Sequence, residues 1–177
     1  RTADREEYAL FSKPFETFPI AIATHRSTPF VTGAGDLVGK KVAVGEDYSA
    51  YKLLKEKYSG IFFVQTRDTH EALKLLKDGR VFAAVDILPS LQYEIDILDS
   101  DKIKVAGITD IYFELCVILS KKNEKLLELI NASIDQITDQ DRFEIRSKWM
   151  ARSVESKKDY ILTIEILIVA SIIVLSV

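Results

Sequence analysis

The chain has 177 residues, a formal net charge of −3, and 47 % hydrophobic and 29 % charged residues, which suits one globular domain or one and a part. The slight acidity, and the lack of any basic cluster interleaved with aromatics, exclude a nucleic-acid surface. Cys116 is the single cysteine, so no internal disulfide forms. No Cys/His cluster has zinc spacing, and no metal or cofactor is expected.

In chain order, residues 19–24 read as a strand, and residues 40–44 as a second strand after Gly39. Residues 48–58 place Ala50, Leu53, Leu54 and Tyr58 at helical spacing. A strand at residues 60–64 follows. Asp68-Thr69-His70-Glu71 has the form of a capping box, an acceptor at the N-cap with Glu three residues later. The helix it opens carries Ala72, Leu75 and Leu76 and stops at Gly79. Residues 81–85 are wholly apolar, as in a strand buried on both faces. Pro89 suits the first turn of a helix running towards Leu98. Residues 102–107 and 114–119 are two further strands. Leu126, Ile130, Ile134 and Ile137 form one stripe of a long amphipathic helix, and a last helix spans about residues 140–150. This alternation predicts an α/β layer fold with a largely parallel sheet.

The two ends carry further expectations. The chain opens at Arg1 without Met and without a signal-peptide pattern, which reads as a cut from a longer protein. Residues 151–159 are polar and charged, and residues 160–177 are apolar all round after Glu165. A spanning helix needs roughly 20 apolar residues, so this run reads as the start of a transmembrane helix, with Glu165 near the outer interface. The alternative is a buried C-terminal helix.

Several motifs in order resemble one known family. Thr2-Ala3-Asp4-Arg5 and Phe11-Ser12-Lys13-Pro14-Phe15 resemble the T-x-x-R and F-S-x-P-[YF] segment of family 3 solute-binding proteins, the type II periplasmic amino-acid binders. Residues 36–44 (DLVGKKVAV), residues 71–81 (EALKLLKDGRV) and the closing Ile145, Lys148 and Trp149 are similar to later family segments. The resemblance covers about residues 1–150. It implies a periplasmic binding protein type II-like fold with lobe 2 complete, part of lobe 1, and a C-terminal transmembrane helix. Residues 1–19 would be a lobe 1 remnant with the first hinge strand, and residues 20–118 would be lobe 2. Residues 119–150 would be helices returning to lobe 1, residues 151–159 a juxtamembrane linker, and residues 160–177 the start of the membrane helix. The hinge would be formed by strands near residues 18–23 and 116–120.

The same resemblance supplies candidate ligand-binding residues. Arg5 falls on the arginine that clamps the ligand's α-carboxylate in the family, and its planar fork of donors suits that task; the alternative is a solvated side chain beside Asp4, Glu6 and Glu7. Ser49 and Tyr48 stand where a strand gives way to a helix, a place where backbone N–H groups hold anions. The alternative there is N-capping by Asp47 or its neighbours. Asp86 stands one position before the family's ammonium-pairing aspartate, which aligns with Ile87; the offset puts an ordinary α-amino acid in doubt. His70 is expected to be solvated, His25 to lie on the surface, and Cys116, Phe62, Phe63, Tyr112 and Phe113 to fill the core. Trp149 is expected to pack the last helix.

The resemblance, with an apolar run soon after the Lys148-Trp149 helix end, implies an extracytoplasmic sensor domain of a bacterial inner-membrane signalling receptor, with residues 1–159 in the periplasm. Its partners would be a small ligand, an amino acid or small organic acid, together with the membrane and a second copy in a homodimer. The fragment itself would not be an enzyme, with an output kinase or cyclase beyond Val177. The alternative is a membrane-tethered, transporter-associated solute-binding protein. No Ser/His/Asp order or pair of matched carboxylates points to an enzyme on this fold.

Overall fold

The computed structural model describes residues 3–46, 48–98 and 100–150, the backbone alone at residues 3, 4, 149 and 150. The chain divides into two units, Arg1–Ile137 and Thr138–Val177. The first opens with a short helix, α1 (Ala3–Glu6), and a strand, β1 (Ala9–Phe11). There follow β2 (Glu16–His25), β3 (Lys41–Gly45), α2 (Ser49–Lys57), β4 (Phe62–Thr66), α3 (Thr69–Lys77), β5 (Ala83–Ile87) and α4 (Leu88–Ile97). β6 (Ile103–Leu115), β7 (Ile118–Ser120) and α5 (Glu124–Ile134) complete it.

β2 to β6 form one five-stranded sheet in the order β4-β3-β5-β2-β6, and β1 and β7 form a separate antiparallel pair. β3 runs parallel to both β4 and β5, whereas β2 is antiparallel to β5 and β6. Four strands therefore share one direction and β2 opposes them, a departure from a purely parallel reading. Glu16 pairs with Leu115, so the chain enters and leaves this sheet at neighbouring points. Both links to the β1–β7 pair start there.

Alternation along the strands builds a core on each face. Ile20, Ile22, Val42, Val44 and Val85 pack on one face with Leu54 of α2. Ala21, Ala23, Ala43 and Ala84 line the other face, where Leu73 and Leu76 of α3 and Leu91 of α4 pack. The small alanine side chains let two helices sit close on that face. Complete burial of a side chain such as Leu54 stabilises by about 1.5–3 kcal/mol relative to exposure.

The ends of α3 follow their expected chemistry. Asp68 Oδ1 accepts the Glu71 N–H at 2.8 Å, and the Glu71 carboxylate accepts the Arg67 N–H at 2.9 Å, one residue before the usual box partner. At the other end Gly79 has φ 69°. Its N–H reaches the Leu76 carbonyl, and the Arg80 N–H reaches that of Leu75, both at 2.9 Å. That is a Schellman closure, which requires the left-handed glycine.

Some expectations need correction. The strands expected at residues 102–107 and 114–119 are one long strand, β6, followed by the separate β7. The polar Thr109 and Asp110 interrupt the apolar run at a register shift, but β6 pairs with β2 on both sides of it, at Ile108 and at Tyr112, so the strand continues. Phe62 and Tyr112 are exposed rather than core, and Cys116, between β6 and β7, is only partly buried.

In the second unit, α6 (Asp139–Met150) starts at a reciprocal cap, the Thr138 hydroxyl and N–H both donating to Asp141 Oδ2 at 2.7 and 2.9 Å. The linker, the apolar run of residues 160–177 and the packing of Trp149 lie outside the described residues. Among the described residues no helix is long and apolar enough to cross a membrane.

Candidate ligand-binding cavity

β3, β4 and β5 run parallel, so their carboxyl ends lie along one side of the sheet, and each leads into a helix on the same side. In open α/β sheets ligands bind outside those strand ends. A cavity of about 550 Å³ opens there. Its walls come from the starts of α2 and α3, from the β5–α4 junction, and from Phe113 of β6.

Asp86 forms the deep polar point of the cavity. It is 5 % exposed. The Thr69 hydroxyl donates to one carboxylate oxygen and the Ile87 N–H to the other, the latter at 2.7 Å. Burial pushes the Asp86 carboxyl above the usual carboxylate range, against the lowering effect of those two hydrogen bonds. Asp68, exposed at the rim, is held below that range by the Glu71 N–H and by the Arg67 guanidinium.

Among the described residues no side chain caps the start of α2. Its N-cap is Tyr48, whose side chain makes no capping hydrogen bond, and no acid stands in the first turn. Asp47, the alternative cap, lies outside the described residues. The Tyr48 ring folds back over Gly45, where an added Cβ would stand 2.7 Å from the ring. Glycine at this strand end therefore lets the ring lie against the cavity wall.

Three of the four residues expected from the sequence, Tyr48, Ser49 and Asp86, line this cavity. Arg5 stands on α1 and is not among the lining residues. Asp86 reaches the cavity although it precedes the family position by one residue. Two residues assigned elsewhere belong here. Phe113 forms a wall, and His70 is half-buried, its Nδ1 2.9 Å from Oε2 of Glu94 on α4. Thr69, Ser90, Tyr93 and Glu94 were not singled out. Thr69 and His70 open a helix after a strand, the same signature that marked Ser49, so the capping box could have placed them. Glu94 stands inside a helix and has no such marker.

No family model matches the chain. Among curated proteins it is similar to the virulence sensor protein BvgS of Bordetella bronchiseptica, 24 % identical over 148 residues that are 83 % of this chain and 12 % of that protein. BvgS of Bordetella pertussis is 23 % identical over 146 residues, again 12 % of its length; the chain spans a small part of these relatives. The B. pertussis BvgS periplasmic VFT2 domain superposes with a TM-score of 0.74 at 23 % identity, over 84 % of this chain and 64 % of that one. Arginine-bound ArgBP from T. maritima gives 0.65 at 24 % identity, over 78 % and 64 %. An ancestral arginine-binding protein bound to arginine gives 0.69 at 26 % identity, over 84 % and 67 %.

Proposed function

We propose that this chain, a type II periplasmic solute-binding-like sensor domain, binds a small carboxylate or amino-acid-like solute in its cavity and relays closure of a hinged cleft towards a membrane. The observation that carries this reading is the pairing of opposite poles in one cavity. The buried acid Asp86 lines the same cavity as the start of α2, whose N-cap residue Tyr48 makes no side-chain capping bond. A carboxylate suits the N–H groups of a helix start, and an ammonium suits a buried carboxylate whose burial otherwise disfavours its charge.

In this reading Ser49 and the first amides of α2 hold the ligand carboxylate, Tyr48 packs on it, and Asp86 takes the ammonium with Thr69 in support. Arg5 acts from the other lobe, reaching the carboxylate when the cleft closes. The five-stranded sheet is the core of lobe 2 (residues 20–118), residues 1–19 hold the lobe 1 remnant and the first hinge strand, and residues 119–150 return to lobe 1. The two links beside Glu16 and Leu115 form the hinge. The likeness to proteins crystallised with arginine supports an amino-acid-like solute, and the relation to BvgS supports a sensor at the bacterial inner membrane. Residues 151–159 would then lead to a membrane helix at 160–177. A ligand shifts such an equilibrium only by its differential affinity for the open and closed forms.

The test is a thermal-shift screen of the intact protein against amino acids and small organic acids, with Arg5→Ala and Asp86→Asn in parallel. A ligand at about 100 times its Kd stabilises by about 2.7 kcal/mol. A melting shift that is lost in both variants supports the reading. A well-folded protein that responds to no member of the panel overturns it.

A further inference from the structure

One polar pair in the cavity has no part in holding a simple zwitterion. His70 is the second residue of α3, and Glu94 lies in the second turn of α4. Their side chains meet at 2.9 Å, with 33 % and 22 % of their surface exposed. The other two acids lining the cavity are engaged differently. Asp68 caps α3 and faces the Arg67 guanidinium, and Asp86 accepts from Thr69 and Ile87. Glu94 meets an imidazole, a group charged only when protonated. Among the described residues no lysine or arginine lines the cavity. Glu94 is thus a partly buried carboxylate without a permanent counter-charge, placed where a ligand arrives.

We propose that Glu94, positioned by His70, is a specificity-determining residue that selects a ligand carrying a cationic side group, an ammonium or guanidinium, over one with a neutral or acidic side group. This inference rests on the amino-acid reading above. A cationic side group reaching Glu94 forms a charge-assisted hydrogen bond. An acidic side group meets Asp68, Asp86 and Glu94 in one cavity and is repelled. His70 acts through Glu94: its ring lies 2.9 Å from the carboxylate and fixes its position. The other titratable groups lining the cavity are Asp68 at the N-cap of α3, Asp86 on β5, Tyr93 on α4 and Tyr48 at the N-cap of α2. Of these, Asp86 acts on the ammonium common to every amino acid, so it cancels in a ratio of affinities.

The experiment is titration calorimetry of the intact protein with L-arginine, L-lysine, L-glutamine and L-glutamate, with Glu94→Gln and His70→Gln alongside and thermal melts to establish folding. The basic amino acids are expected to bind at least about tenfold tighter than L-glutamine, the factor one hydrogen bond to a charged group gives, with L-glutamate weakest. Glu94→Gln is expected to collapse that ratio. His70→Gln is expected to narrow that ratio without abolishing it, because Glu94 keeps its charge but loses the ring that holds it in place. L-glutamine bound as tightly as L-arginine, a preference that survives Glu94→Gln, or a preference unchanged in His70→Gln overturns the inference and leaves the amino-acid reading standing. Failure of all four to bind overturns the inference, and the wider panel of the thermal-shift screen then decides the reading it rests on.

Discussion

Asp86 sits at the end of β5 with almost no solvent contact, and its environment works against its charge. Its pKa in the folded state is raised above the ordinary value of 3.8. The folded protein therefore keeps a proton that the unfolded chain releases, and stability falls as pH rises through that interval. Asparagine has no charge to bury. Its carbonyl can still accept from the Ile87 N–H, and its amide can donate to the Thr69 hydroxyl. Asp86→Asn is expected to raise the melting temperature of the ligand-free protein at neutral pH and to lose that gain below pH 3.8. Melts taken across this range check it. A gain that does not depend on pH would mean that packing, not charge, sets the difference. Activity and stability would trade at this residue, as at many binding sites. Asp86, Tyr48 and Ser49 were legible because each stands where a strand hands over to a helix. Glu94 was not: its place depends on how α3 and α4 lie side by side on the alanine face, which no local pattern encodes.

At the scale of an element, α3 carries two cavity residues, Thr69 and His70, on its first turn. Its two ends are held by different devices, so they can be separated by mutation. Asp68→Ala removes the acceptor for the Glu71 N–H, and loss of such a cap costs about 1 kcal/mol, within a range of about 0.5–2. Gly79→Ala forces a Cβ into the left-handed region at φ 69° and costs a similar amount, about 1–2 kcal/mol. Urea unfolding should therefore find the two variants comparably destabilised. Ligand affinity should fall only in Asp68→Ala, because fraying at that end displaces Thr69 and His70, whereas the Gly79 end lies a full helix length away. Equal affinity losses would mean that α3 moves as a rigid body. Both ends of this helix were legible in the sequence, since Asp68-x-x-Glu71 and the terminal glycine are local signals. The continuity of β6 was not, because it comes from pairing with β2 across the sheet.

At the scale of the whole first unit, two links join the five-stranded sheet to the β1–β7 pair, and Ser12 ties them together. Ser12 is 1 % exposed. Its N–H donates to the Val117 carbonyl at 3.0 Å, and its hydroxyl accepts the Val117 N–H at 2.9 Å. Next to it, Lys13 pairs with Asp135 of the segment after α5 at 2.6 Å, with both side chains more than half exposed. The alternation of strands and helices predicted the α/β class. It could not predict that β2 opposes its neighbours, because β2 finds β5 and β6 only after the chain has passed through β3 and β4. Nor did it mark the serine that joins the two links, whose partner is 105 residues away. The two contacts differ in physical kind, and that difference yields a prediction. Ser12→Ala strands the Val117 N–H in a buried setting, at a cost of about 1–3 kcal/mol. Lys13→Ala removes an exposed ion pair worth about 0–1 kcal/mol. Urea titration should rank Ser12→Ala as the more destabilised at every ionic strength. Added salt should shrink the Lys13→Ala effect and leave the other unchanged, since screening acts on charges in water and not on a buried hydrogen bond. If the two variants lose stability equally at low salt and recover together at high salt, the links are held by surface charge, and the junction of the two sheets is looser than the Ser12–Val117 bonds imply.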